Sequence, residues 1–138
     1  MRPPDEVARE FAREWLAKAD VDLSAARVLL DTGAHADAVA FHAQQAAEKA
    51  LKAFLVWNQV EFPKTHDIKR LLVLCRSVDA ELAHALADAA ALTPFGVEYR
   101  YPGDYPAVSP AVAEASLRSA DGVVAAVAQR LGASEPRR

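Results

Sequence analysis

The stretch from Phe41 to Ala53, FHAQQAAEKALKA, decides how the rest of the chain is read. Alanine, leucine, glutamine, glutamate and lysine are strong helix formers, and no glycine, proline or β-branched residue interrupts them. Extended outward, Ala36, Ala40, Ala43, Ala47, Ala50, Phe54 and Trp57 recur every three or four residues, the spacing that lines one stripe of an α-helix. At 100° per residue, Gln45, Glu48, Lys49 and Lys52 gather on the opposite side, with Phe41 among them and Val56 further along. A face so mixed suits a wet interface with another helix or subunit. Glu48 and Lys52 form an i,i+4 pair worth ~0.3 kcal/mol on an exposed helix. Gln44 falls at the edge of the apolar arc beside Leu51 and Leu55, where its amide needs a buried partner.

The same spacing occurs twice more. Ala12, Leu16, Ala19, Leu23, Ala26 and Leu30 follow it, and Asp31-Thr32-Gly33 then supplies a polar break with a glycine suited to a helix C-terminus. Ala113, Leu117, Ala120, Val124, Val127 and Leu131 repeat it, opened by Ser109 as N-cap and Pro110 at the first helical position. Two shorter helices are expected between these. One is capped by Thr65 and runs to about Arg76, with Ile68, Leu71, Leu72 and Cys75 inward; the other runs from Asp79 to about Leu92. No segment alternates as a strand would. The expected fold is all-α, an antiparallel up-and-down bundle of about five helices forming one domain over 1–138, with its core at about 8–131.

Composition agrees. The 138 residues suffice for one core, and 52% apolar with 25% charged residues is a globular balance. The lone Cys75 cannot form an internal disulfide and reads as a small core residue in a reducing compartment. The N-terminus MRPPDEVARE has no apolar leader core, and no apolar run approaches the ~20 residues of a membrane span. The expectation is a cytoplasmic protein that does not engage membranes. A net charge of −3 gives no global pull toward nucleic acid, so any RNA contact rests on a local patch.

One segment breaks the helical pattern. TPFGVEYRYPGDYPAVSP, Thr93 to Pro110, holds four prolines, two glycines and all three tyrosines, and is expected as a loop or broken helix of functional interest.

Together, FHAQQAAEKALKAFL, PKTHDIKRLL and YRYPGDY, in that order and spacing, resemble the HEPN domain (higher eukaryotes and prokaryotes nucleotide-binding) over roughly Trp15 to Leu131. The resemblance implies a helical bundle, usually dimeric, and for many members a metal-independent ribonuclease, including toxins encoded beside a minimal nucleotidyltransferase antitoxin. Such ribonucleases use an arginine followed four to six residues later by a histidine. Here the matching arginine is Arg100, the residue five positions on is Tyr105, and no histidine follows Arg100. A tyrosine of ordinary pKa ~10 is a poor acid–base group at neutral pH.

The resemblance therefore implies a component of a toxin–antitoxin-type pair, homodimeric and partnered by a nucleotidyltransferase. It would bind nucleotide or RNA with weak or absent ribonuclease activity rather than act as a full ribonuclease. Arg100 would grip a phosphate and Tyr101 and Tyr105 would stack on a base, with Lys49, Lys52 and His66 completing the binding set. Phe41, Gln45 and Glu48 would form the interface. The tyrosines of YRYPGDY are the first candidates for modification by the partner. The alternative is a pure interaction module in which Arg100 pairs with a carboxylate such as Glu98 or Asp104. Glu81 and His84 have the Glu-x-x-His spacing of di-iron bundles, but no second such pair exists, so no metal or other cofactor is expected.

Overall fold

A computed structural model describes residues 2–96 and 107–133. Within them the chain is helical throughout: α1 (Pro4–Asp31), α2 (Ala36–Trp57), α3 (Ile68–Arg76), α4 (Ala80–Ala85), a 3-10 helix (Ala87–Gly96) and α5 (Pro110–Ala133). The first helix starts two turns before the alanine stripe suggests. Pro4 sits at its first position, where a missing N–H costs nothing, and Asp5 and Glu6 face the positive end of its dipole.

The α1–α2 turn forms as the sequence reading expects. Gly33 takes φ +73°, and the Thr32 hydroxyl donates to Leu29 O at 2.7 Å. The two helices then run antiparallel, because residues late in α1 meet residues early in α2: Asp22 reaches His42, Trp15 reaches Lys52, and Arg9 lies over Trp57. Val39 of α2 and Ala113 of α5 share a small apolar cluster with Ala26, and Val108 N donates to Asp37. Helix α5 thus enters at the end where α2 begins and runs in the same sense, the intervening helices having carried the chain back. Ser109 caps it, its Oγ accepting from Val112 N at 3.1 Å.

Two local expectations are corrected. Asp67, not Thr65, caps α3: its Oδ1 accepts from Lys69 N at 3.0 Å, while Thr65 Oγ1 accepts only from Asp67 N. The helix opened by Asp79 is α-helical only to Ala85, after which the chain tightens into the 3-10 helix. Leu86, Ala89 and Leu92 are buried and Phe95 packs against the core, a repeat of three that matches three residues per turn better than 3.6.

The largest correction concerns α2. The wheel gave it one apolar stripe and one wet face, yet Ala46 and Ala53 are as completely buried as Ala43, Ala47 and Ala50. Helices α1, α3, α5 and the 3-10 helix all pack on it. A helix enclosed by neighbours buries polar side chains too, and Gln44, Glu48 and Lys52 are found inside.

Candidate functional site

Two sets of side chains meet along α2, each built around a carboxylate. In the first, Glu48 is 3% exposed and accepts three hydrogen bonds. Lys52 Nζ donates to Oε2 at 3.0 Å, and Gln44 Nε2 (3.1 Å) and His66 Nδ1 (2.8 Å) donate to Oε1. Gln44 is fully buried; it also donates to His66 O and accepts from Gln45 Nε2 at 2.7 Å, so the buried partner its position demanded is present several times over. Lys52 is 8% exposed, with its ammonium 5.6 Å from the Trp15 ring centre and 5.9 Å from that of Phe62. Two ring faces and a carboxylate enclose that cation. Gly96 closes the site from the 3-10 helix, since a Cβ there would stand 2.3 Å from Gln44 Cδ.

In the second set Asp22 of α1 takes the central place. His42 Nδ1 donates to its Oδ1 at 2.9 Å and Lys49 Nζ to its Oδ2 at 2.5 Å. Phe41 packs edge-on against His42, with 5.4 Å between ring centres. The sets are chemical counterparts: each carboxylate holds an imidazole Nδ1 on one oxygen and a lysine on the other. They flank α2 at one level, with Gln45 between them.

The sequence-derived residues therefore divide. Lys52 and His66 meet at Glu48, Gln45 bonds Gln44 beside them, and Lys49 belongs to the Asp22 set with Phe41 against its His42. Glu48 and Lys52, expected on an outer face, are instead buried against α1 and the segment before α3, and their pair is a buried one. Both lysines are already matched by carboxylates, so this is an electrically balanced site and not a basic patch. Arg100, Tyr101 and Tyr105, with Glu98 and Asp104, lie outside the described residues. Among the described residues no cluster of His, Cys, Asp or Glu could hold a metal ion. Nor is any described helix long and apolar enough to cross a membrane.

Asp22 was missed by sequence reasoning, although a signal existed: it occupies a core position of the Ala19–Leu23–Ala26 stripe, where a charge needs a partner. Trp15 and Phe62 carried no such mark. Cys75 is buried and free, and burial pushes its thiol up to about 12, in keeping with a core residue.

A bundle of this topology has known counterparts. The family model of the HEPN domain matches residues 12–131, and the chain belongs to that family. TT1696 from Thermus thermophilus is similar in structure, with a TM-score of 0.69 and 31% identity over 86% of this chain and 97% of that one. An archaeal HEPN homologue, ST0689, shares the fold with a TM-score of 0.69 and 23% identity, covering 87% of this chain and 97% of its own. A protein of Methanocaldococcus jannaschii described as "Putative toxin MJ1304" is 42% identical over 53 residues. That match takes in 38% of this chain and 34% of the relative's length.

Proposed function

We propose that this chain is the HEPN component of a toxin–antitoxin-type pair. In this reading it acts as a homodimer partnered by a nucleotidyltransferase, and it binds nucleotide or RNA with at most weak ribonuclease activity. One observation carries the reading beyond family membership: the imidazole of His66 is held by a buried carboxylate, and its side chain is 72% exposed. Four residues after Gly96 the sequence supplies Arg100, whose planar fork suits a phosphate, followed by Tyr101 and Tyr105 for stacking. Toxin-type function draws its support from the similarity to the M. jannaschii protein.

Calorimetry with ATP and with a short single-stranded RNA tests it. Binding that is measurable in the unmodified chain and lost on Arg100→Ala is the expected result. A chain that binds neither ligand contradicts it. The second reading, a pure interaction module, draws support from the neutralised lysines: Lys49 and Lys52 are each bonded to a carboxylate and offer little to a phosphate. It predicts no heat with either ligand and an unchanged dimer.

A further inference from the structure

We infer that His66 is a general acid–base group acting on a ribose 2′-hydroxyl beside a phosphodiester, with Glu48 as its positioning residue; the inference rests on the RNA-binding reading. The sequence lacks a histidine after Arg100, and the fold brings one to α2 from another segment. A carboxylate can only accept, so the proton shared with Glu48 sits on Nδ1 and the lone pair of the neutral ring is on Nε2. That side chain is 72% exposed while Glu48 is 4% exposed, so the anchor is buried and the reactive nitrogen faces solvent. Glu48 itself cannot swing, being tied to Lys52 and Gln44.

The local sequence supplies cations suited to a phosphodiester, with Asp67 beside them. Lys64, Lys69 and Arg70 lie within four residues of His66, all are exposed, and none is ion-paired among the described residues. His42 has the same carboxylate anchor but differs where it matters. Its side chain is 32% exposed, Phe41 covers one edge, and the adjacent Lys49 is bonded to Asp22.

The step balances without metal or redox partner. Nε2 takes the 2′-hydroxyl proton as that oxygen bonds to phosphorus. The bond from phosphorus to the 5′-oxygen breaks, and the leaving oxygen takes a proton from water. A 2′,3′-cyclic phosphate and a 5′-hydroxyl result, and the imidazolium returns its proton to water. With no dedicated acid for the leaving group the reaction is slow, as a weak ribonuclease would be.

The test uses the full chain with a fluorogenic oligonucleotide carrying one ribonucleotide, in a chelator, at pH 7. Slow cleavage is expected. His66→Asn, whose amide can still donate to Glu48, should lower the rate at least about 100-fold, to that of buffer. Its affinity for a fully 2′-O-methylated RNA should fall far less than the rate, since a purely binding role would move both together. Added imidazole should restore part of the rate to His66→Ala. Nitrogen NMR of the neutral ring should show the proton on Nδ1. Cleavage that persists in His66→Asn overturns the inference, as does a proton on Nε2. RNA that binds and is never cleaved overturns it while leaving the binding reading intact; absence of binding removes both.

Discussion

The two carboxylate-centred sets on α2 use the same three kinds of group and do different things with them. Around Asp22, aspartate, His42 and Lys49 join α1 to α2, and the imidazole is largely covered. Around Glu48, the carboxylate and Lys52 are deeper, Gln44 adds a further bond, and the imidazole comes from the segment before α3 and stands in solvent. The first set is a tether between two helices. The second has a rigid interior and an exposed tip, an arrangement that costs desolvation and presents a proton-transfer group. Anchor depth and tip exposure, not residue type, separate them.

The strongest way to break this comparison is to neutralise each carboxylate in turn. Glu48→Gln leaves Lys52, 8% exposed, without a counter-charge and should cost about 3–5 kcal/mol in denaturant unfolding. Asp22→Asn leaves Lys49, whose side chain is 24% exposed and can find water, and should cost about 1–2 kcal/mol. Equal losses, or a larger one at Asp22, would erase the distinction in anchor depth.

Next in size is a test of how tightly the Glu48 side is built. Gly96→Ala places a Cβ 2.3–2.6 Å from three atoms of the Gln44 amide, which is fully buried and cannot swing away without surrendering its bonds. A loss of about 1–3 kcal/mol is expected. In a Gln44→Ala background the same substitution should cost much less, because the clashing amide is gone. Gly33→Ala is the contrast. Nothing lies within 4 Å of its added Cβ, so only the positive φ of 73° is strained, at about 1 kcal/mol and with no dependence on Gln44.

The difference between the two sets also explains what could be read in advance. Helix positions and the α1–α2 turn were legible because alanine spacing, Thr32-Gly33, Asp79 and Ser109-Pro110 act locally. The buried placement of Glu48 and Lys52 was not legible, because it depends on how many neighbours surround α2, and a helical wheel contains no neighbours. His66 could be placed just before a helix, but its pairing with Glu48 spans 18 positions and is set by the fold. The 3-10 helix had a local mark, the repeat of three from Leu86 to Phe95, which an α-helical template of 3.6 overrides.

Cys75 sharpens the comparison from a third direction, as a buried titratable group with no cationic partner among the described residues. Burial, with a smaller contribution from the nearby Asp79 carboxylate, pushes its thiol up to about 12. A raised value leaves stability untouched below the unfolded thiol's ordinary ~8.5 and removes it as pH rises toward the folded value. Between pH 8 and pH 10 the chain should lose about 1–2 kcal/mol that Cys75→Ala does not lose, measured as the change in urea midpoint with pH for each. Native Cys75 should also react with a disulfide reagent no faster than the chain opens. Rapid modification of the folded protein would show that burial is not what governs this group.

The smallest effect belongs to Asp79, a carboxylate with charge and hydrogen bonds like the other two but little burial. Its Oδ1 accepts from Leu82 N at 2.9 Å and its Oδ2 from Arg130 Nε at 3.2 Å. The backbone N–H of Leu82, with a smaller contribution from Arg130, holds it below the usual carboxylate range. A depressed value contributes stability above the unfolded value of about 3.9, and that stability is lost as pH falls through the folded value. Asn caps as well as Asp, so Asp79→Asn removes the charge and keeps the cap. The unmodified chain should exceed the variant by ~0.3–0.8 kcal/mol at pH 6, and the gap should close as pH falls through the folded value. If the gap instead approaches the loss seen with Glu48→Gln, the number of partners would outweigh depth in setting the worth of a carboxylate here. A small, acid-labile gap assigns the difference between Glu48 and the others to burial, because Asp79 has a cation and a backbone donor and lacks only the enclosure.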